Sequence, residues 1–96
     1  MEALTITRHE QDGSGEYRAH VPGNDHWGVL SWVQHGDVRS AEHTLVPNEL
    51  RGRGIAEHLV LALIEDARAQ GFRIHPACSY VAVAFQRHPE WADLKA

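Results

Sequence analysis

The sequence predicts a mixed α/β (α+β) fold: a four-strand antiparallel meander, a β-α-β crossover into a fifth strand, and a short C-terminal helix. Three observations predict it. Residues 4–46 alternate apolar and polar in segments broken by short turns, the period lengthens to that of a helix at Ile55, and Gly71 ends that stretch before another short apolar run.

Leu4, Ile6 and Arg8 alternate with Thr5 and Thr7 as a half-buried first strand, and Gln11-Asp12-Gly13-Ser14-Gly15 supplies a turn. Glu16 to Val21 alternates again until Pro22-Gly23-Asn24-Asp25 breaks it. Trp27 to Val33 is rich in aromatic and β-branched residues and reads as a third strand. His35-Gly36-Asp37 turns the chain, and Val38 to Val46 makes a fourth strand closed by Pro47. From Ile55, apolar residues recur at steps of four through Leu59, Leu63 and Ala67, with Ala56, Val60 and Ile64 beside them. Glu57, His58, Glu65, Asp66 and Arg68 are assigned to the other side, as in an amphipathic helix packed on a sheet. Gly71 is the helix stop, and Phe72 can fold back on the last turn. Phe72 to His75 reads as a fifth strand, parallel to the fourth because a helix lies between them. Ser79 to Arg87 forms the short helix, and the tail packs through Trp91 and Leu94.

Composition bounds what the chain can do. Its 96 residues, 43% hydrophobic and 23% charged, suit one globular domain, taken as residues 1–96, with a single modest core. A net charge of -4 argues against a general nucleic-acid partner, which would need an excess of Lys and Arg. No apolar run approaches the ~20 residues of a membrane span, and Met1 to Thr5 lacks a basic region leading into a hydrophobic stretch. A cytoplasmic protein, without membrane partners, is expected. Cys78 is the only cysteine, which excludes an internal disulfide and fits a reducing compartment.

The most informative segment is Val46 to Ala56. Gly52 and Gly54 punctuate a turn that feeds directly into the longest helix. Such a turn lets backbone approach a ligand, while free N–H groups of the first helical turn, with the helix dipole behind them, favour an anion. Arg51 and Arg53 add charge of the right sign. The segment is neither a Gly-Lys-Ser/Thr nucleotide loop nor a G-x-G-x-x-G dinucleotide turn, since Glu57 stands where the third glycine would be.

Arg51-x-x-Gly54-x-Ala56 resembles the [QR]-x-x-G-x-[GA] pyrophosphate loop of the GNAT superfamily of acyl-CoA-dependent N-acetyltransferases. With His43 to Pro47, Pro76 to Val81 and His88 to Leu94 in the same order, the C-terminal half of the chain is similar to the small stand-alone GNAT-like acetyltransferases. The resemblance implies a mixed sheet splayed between strands four and five. The pantetheine arm of acetyl-CoA would lie in that gap, and its pyrophosphate would rest on the loop formed by Arg51, Gly52, Arg53, Gly54, Ile55 and Ala56. It also implies oxyanion contacts from backbone N–H groups near Leu45 and Val46, with Val46 lining the pantetheine path.

Acetyl transfer needs an unprotonated nucleophile, donors for the developing oxyanion, and help for the departing thiolate. His43, near the splay, is the candidate base; the alternative is a structural histidine. Glu42 faces away from His43 under strict alternation, unless a bulge intervenes. His75 is a weaker candidate. Cys78 precedes a helix, where the dipole and free amides can lower a thiol from ~8.5. It is a candidate catalytic thiol and a lining residue of the acyl-CoA site; the alternative is plain packing. Two departures from the larger members stand out. Phe85 occupies the place of a proton-donating tyrosine, leaving Tyr80 as a substitute, and the helices that shape an acceptor cleft are missing.

The expected function is acetyl transfer from acetyl-CoA to an amine, either a small molecule or a protein lysine, by direct attack in a ternary complex with Cys78 lining the site; an acetyl-Cys78 intermediate with ping-pong kinetics is the other route. The chain would act as a monomer or small homo-oligomer. A non-catalytic acyl-CoA-binding module or sensor is the competing class. Eight histidines suggest a metal protein, yet none fall in an H-x-x-x-H or Cys/His cluster, so no metal is expected.

Overall fold

The computed structural model describes residues 4–96, so the reading of Met1 to Ala3 as no leader lies outside the described residues. Five strands form one mixed sheet whose order follows the chain: β1 (Thr5–Gln11), β2 (Ser14–His20), β3 (Trp27–His35), β4 (Val38–Leu45) and β5 (Arg73–Pro76). The first four are antiparallel neighbours, and β5 runs parallel to β4 after the helix α1 (Ile55–Gln70). Helix α2 (Ser79–Arg87) follows. Two short 3-10 segments, Asn48–Leu50 and Pro89–Leu94, fall where the sequence suggested only loop and tail.

The meander is set by short connections. Gln11 pairs with Ser14, leaving only Asp12 and Gly13 in the first turn, both at positive φ; this two-residue turn matches the right-handed twist of the strands. The third connection, between β3 and β4, is Gly36-Asp37, closed by the His35–Val38 pair.

One face of the sheet packs on α1. Leu59 and Leu63 are fully buried and share one core with Tyr17, Ala19 and Leu30 from the strands and Ile74 from β5. Burying each such leucine stabilises the fold by about 1.5–3 kcal/mol. Gly28 brings the start of the helix close, because a Cβ there would stand 2.9 Å from the Ile55 side chain. Helix α2 and the 3-10 tail close the core with Val81, Phe85, Trp91 and Leu94, the Phe85 and Trp91 rings meeting edge to face at 5.9 Å. The opposite face presents Trp27, His43 and Leu45 to solvent. The outer edge of β5 is covered by the chain end, where Ala96 donates to the Ile74 carbonyl at 2.8 Å.

One assignment is corrected. Asp66 lies on the buried face of α1, only 9% exposed, and not on its polar side. Its carboxylate accepts from Arg8 Nε at 2.9 and 3.1 Å and from the Tyr17 hydroxyl at 2.9 Å. Tyr17 in turn accepts from Arg39 Nη1 at 2.8 Å. The Arg39 guanidinium is held against the Trp32 and Phe72 rings, 3.6 and 4.2 Å from their centroids. Burial pushes the Tyr17 hydroxyl far above its usual range, with Arg39 opposing and Asp66 adding to the rise, so the phenol keeps the proton it donates. A buried carboxylate is tolerable because each of these partners satisfies it.

Candidate active site

Strand β4 divides at Ala41. Val38 to Ala41 pair with β5, and the Cys78 amide continues the ladder by donating to the Ala41 carbonyl at 2.8 Å. Beyond that point the chain turns into α2, so among the described residues Glu42 to Leu45 have no strand partner on the β5 side. This is the splay expected from the sequence. Its physical origin is the shortness of β5, which ends at Pro76, a residue without the N–H that would continue the ladder.

The mouth of this gap is the loop. Gly52 and Gly54 adopt φ of 81° and 70°, and a Cβ built on either meets nothing within 4 Å. Left-handed backbone there accounts for both glycines, and the space above them is open. The first amide to enter the helical ladder is His58, which donates to Gly54. Among the described residues, the amides of Ile55, Ala56 and Glu57 have no acceptor, and Gly54 provides no side-chain cap. Three such donors at the positive end of a 16-residue helix favour an anion. A cavity of about 250 Å³ lies there, lined by Val46, Arg51, Gly52, Gly54, Ala56 and Tyr80 among others. Ile55 contributes only its backbone, because its side chain is in the core. Arg53 stands outside that lining, and the Leu45 side chain, 65% exposed, points to the open face of the sheet, leaving its backbone as the usable part.

Cys78 is the N-cap of α2 and half-buried at the gap. Its Sγ lies 3.4 Å from the Thr44 hydroxyl. Burial pushes the thiol up, but hydrogen bonds from the Thr44 hydroxyl and the amides of Val81, Tyr80 and Thr44 outweigh it, so the net shift is downward. Thr44 carried no signal in the sequence; only the strand geometry brings it to the sulfur.

His43 does not face Cys78. Leu30 pairs with Thr44 and Ser31 with His43, so the two neighbours in β4 point to opposite faces, Thr44 toward the helices and His43 toward solvent. A bulge lies at Glu42, since Trp32 pairs with Ala41 and Ser31 with His43, leaving Glu42 as the extra residue. It brings Glu42 onto the side of His43: the two line one shallow depression with Glu16 and Ser31, and Glu42 accepts a hydrogen bond from Ser40. His75 is exposed on β5, opposite Ser40, and Phe85 is a core residue. Among the described residues no group of three or more His, Cys, Asp or Glu is placed to hold a metal ion, and no helix is long and apolar enough to cross a membrane.

A sheet parted at its one parallel junction, with orphan amides at the mouth of the gap, defines an α/β domain of the acyltransferase kind. The model of the family described as GCN5-related N-acetyl-transferase matches residues 16–94, and the chain belongs to that family. Among curated proteins it is similar to Protein NATD1 of Bos taurus, at 38% identity over 48 residues, which is 50% of this chain and 42% of that protein. The Xenopus tropicalis and Homo sapiens proteins of the same name are each 35% identical over 48 residues, 50% of this chain and 44% and 42% of their own length. The matched part thus spans less than half of each of these relatives.

Proposed function

We propose that this chain, a single minimal domain over residues 1–96, is an acetyl-CoA-dependent N-acetyltransferase that acts on an amine by direct attack in a ternary complex. One observation carries the reading: three unpartnered helix-start amides open onto a cavity also lined by Val46, the residue that follows the unpaired half of β4. The residues present suit acetyl-CoA. The amides of Ile55, Ala56 and Glu57 and the Arg51 side chain hold the diphosphate, with Gly52, Arg53 and Gly54 shaping the turn. Val46, Thr44 and Cys78 line the path of the pantetheine arm, and backbone N–H groups near Leu45 and Val46 receive the acyl oxygen. Bound there, acetyl-CoA supplies an activated thioester whose acetyl group can pass to nitrogen.

The acceptor amine approaches from the open face of the sheet, where His43 takes up its proton with Glu42 beside it. A small molecule or a protein lysine both suit so shallow a face. Cys78 and Thr44 contribute a polar, partly buried edge at the sulfur end of the gap. The working site is in the cytoplasm, in a monomer or small homo-oligomer, without nucleic-acid or membrane partners.

Native mass spectrometry of the purified protein tests the ligand, with co-purified coenzyme A as the expected result. Steady-state thiol release from acetyl-CoA in the presence of a lysine peptide or a polyamine tests the reaction. Cys78→Ala is expected to lower turnover while preserving coenzyme A affinity, and unchanged turnover assigns the thiol a packing role. The competing reading, a non-catalytic acyl-CoA-binding module or sensor, is favoured by Phe85, which lies in the core and brings no hydroxyl to the thiolate. Tight binding with no turnover on any amine would establish it.

A further inference from the structure

The loop cavity does not end at the loop. A second groove of about 250 Å³ lies between α1 and α2, and Glu57 and Tyr80 line both, so the two spaces are neighbours. Its floor is apolar, made by Val60, Val83, Ala84 and Trp91, and its far end carries Arg87 and His88.

Helical spacing explains this lining. Tyr80, Val83, Ala84 and Arg87 stand at i, i+3, i+4 and i+7 and share one stripe of α2. At 1.5 Å per residue, Arg87 lies about 10 Å along the axis from Tyr80. Helical side chains lean toward the N-terminus, which turns the guanidinium back along the groove toward the loop.

Arg87 is exposed, and among the described residues it has no hydrogen bond or ion pair. The matching residue in the last turn of α1 behaves differently: Arg68 is paired with Asp93 at 3.1 Å. His88 is fixed by stacking on Trp91 at 4.0 Å and by Glu90 at its Nδ1, 3.0 Å away, which leaves Nε2 without a partner. The groove therefore offers, in order from the loop, free amides, a carboxylate, an apolar slot and an unpaired guanidinium. Coenzyme A presents a diphosphate, ribose hydroxyls, a flat base and a ribose 3′-phosphate.

Resting on the coenzyme A reading above, we infer that this groove takes the 3′-phosphoadenosine end of acyl-CoA and that Arg87 reads the 3′-phosphate. The chain therefore distinguishes coenzyme A from its 3′-dephospho form. Glu57, between the two anion sites, accepts from a ribose hydroxyl and repels a phosphate that binds out of register. Arginine suits the task because its planar donors match phosphate oxygens two at a time.

Calorimetry with coenzyme A and with 3′-dephospho-coenzyme A tests this. The wild-type chain is expected to bind coenzyme A about tenfold more tightly than the dephospho form, the scale of one charge-assisted contact at an exposed site. Arg87→Ala should bring the two affinities together by weakening only coenzyme A, and Arg87→Lys should restore part of the difference. Equal affinities in the wild type, or a ratio that survives Arg87→Ala, would overturn the assignment while leaving the loop reading intact. If neither ligand binds the wild type, the loop reading falls and this inference falls with it.

Discussion

The two halves of β4 differ in what their neighbours do for them. From Val38 to Ala41 the strand is flanked on both sides, and even its charged member is enclosed: Arg39, 5% exposed, is bonded to Tyr17 and Gln34 and held against two aromatic rings. From Glu42 to Leu45 the same strand has lost its partner on one side and gained a bulge. Arg39 in the first half is satisfied by protein, and in the second half Glu42 and His43 line an open depression. The division teaches where each property resides. Buried polar bonding is concentrated around Arg39, Tyr17 and Asp66, and the proposed ligand chemistry around Thr44, Cys78 and the loop.

Variants can break this division in decreasing order of effect. Asp66→Ala leaves Tyr17 and Arg8 without their acceptor and is expected to cost about 3 kcal/mol, discounted for the partial exposure of Arg8. Urea unfolding measures it, and coenzyme A affinity of the folded fraction should be unchanged; a matching loss of affinity would show that the halves are coupled. Gly54→Val forces a β-branched residue to a φ of 70° and should cost about 1–2 kcal/mol in stability. It should also weaken coenzyme A by more than about tenfold, and undiminished affinity in calorimetry removes the loop from the site.

The smallest effect sharpens the contrast at Cys78. The folded thiol titrates below its usual range because donors to the thiolate outweigh burial, so its alkylation by iodoacetamide should rise with pH at a midpoint below that of the unfolded chain. Thr44→Val removes a thiolate donor, which moves that midpoint upward. An unmoved midpoint would assign the shift to backbone amides, those of Tyr80, Val81 and Thr44 itself.

Most of the fold was legible in the sequence because its signals are local. Alternation marked four strands, the change of period marked α1, and Gly71 marked its end. The loop glycines were legible for a similar reason, since the backbone there needs positive φ wherever the rest of the chain lies. The Glu42 bulge was not, because it is a mismatch of register between two strands and neither strand carries it alone. Asp66 is a different case. It stands three residues after Leu63 and seven after Leu59, on the buried stripe by spacing, and its residue type led to the wrong side. Arg39 obeys the same logic, two residues from buried Ala41 on one face of a strand. Thr44 became a partner of Cys78 only through contact across 34 positions.

The sheet is laid down in chain order, and this has a kinetic consequence. Each strand of the meander can zip onto the one before it across a turn of a few residues, so loop closure costs little until the crossover through α1. Only β5 must wait for a distant segment. Docking β5 is also what creates the parted junction, so the pairing expected to form last in folding is the one that opens the cleft.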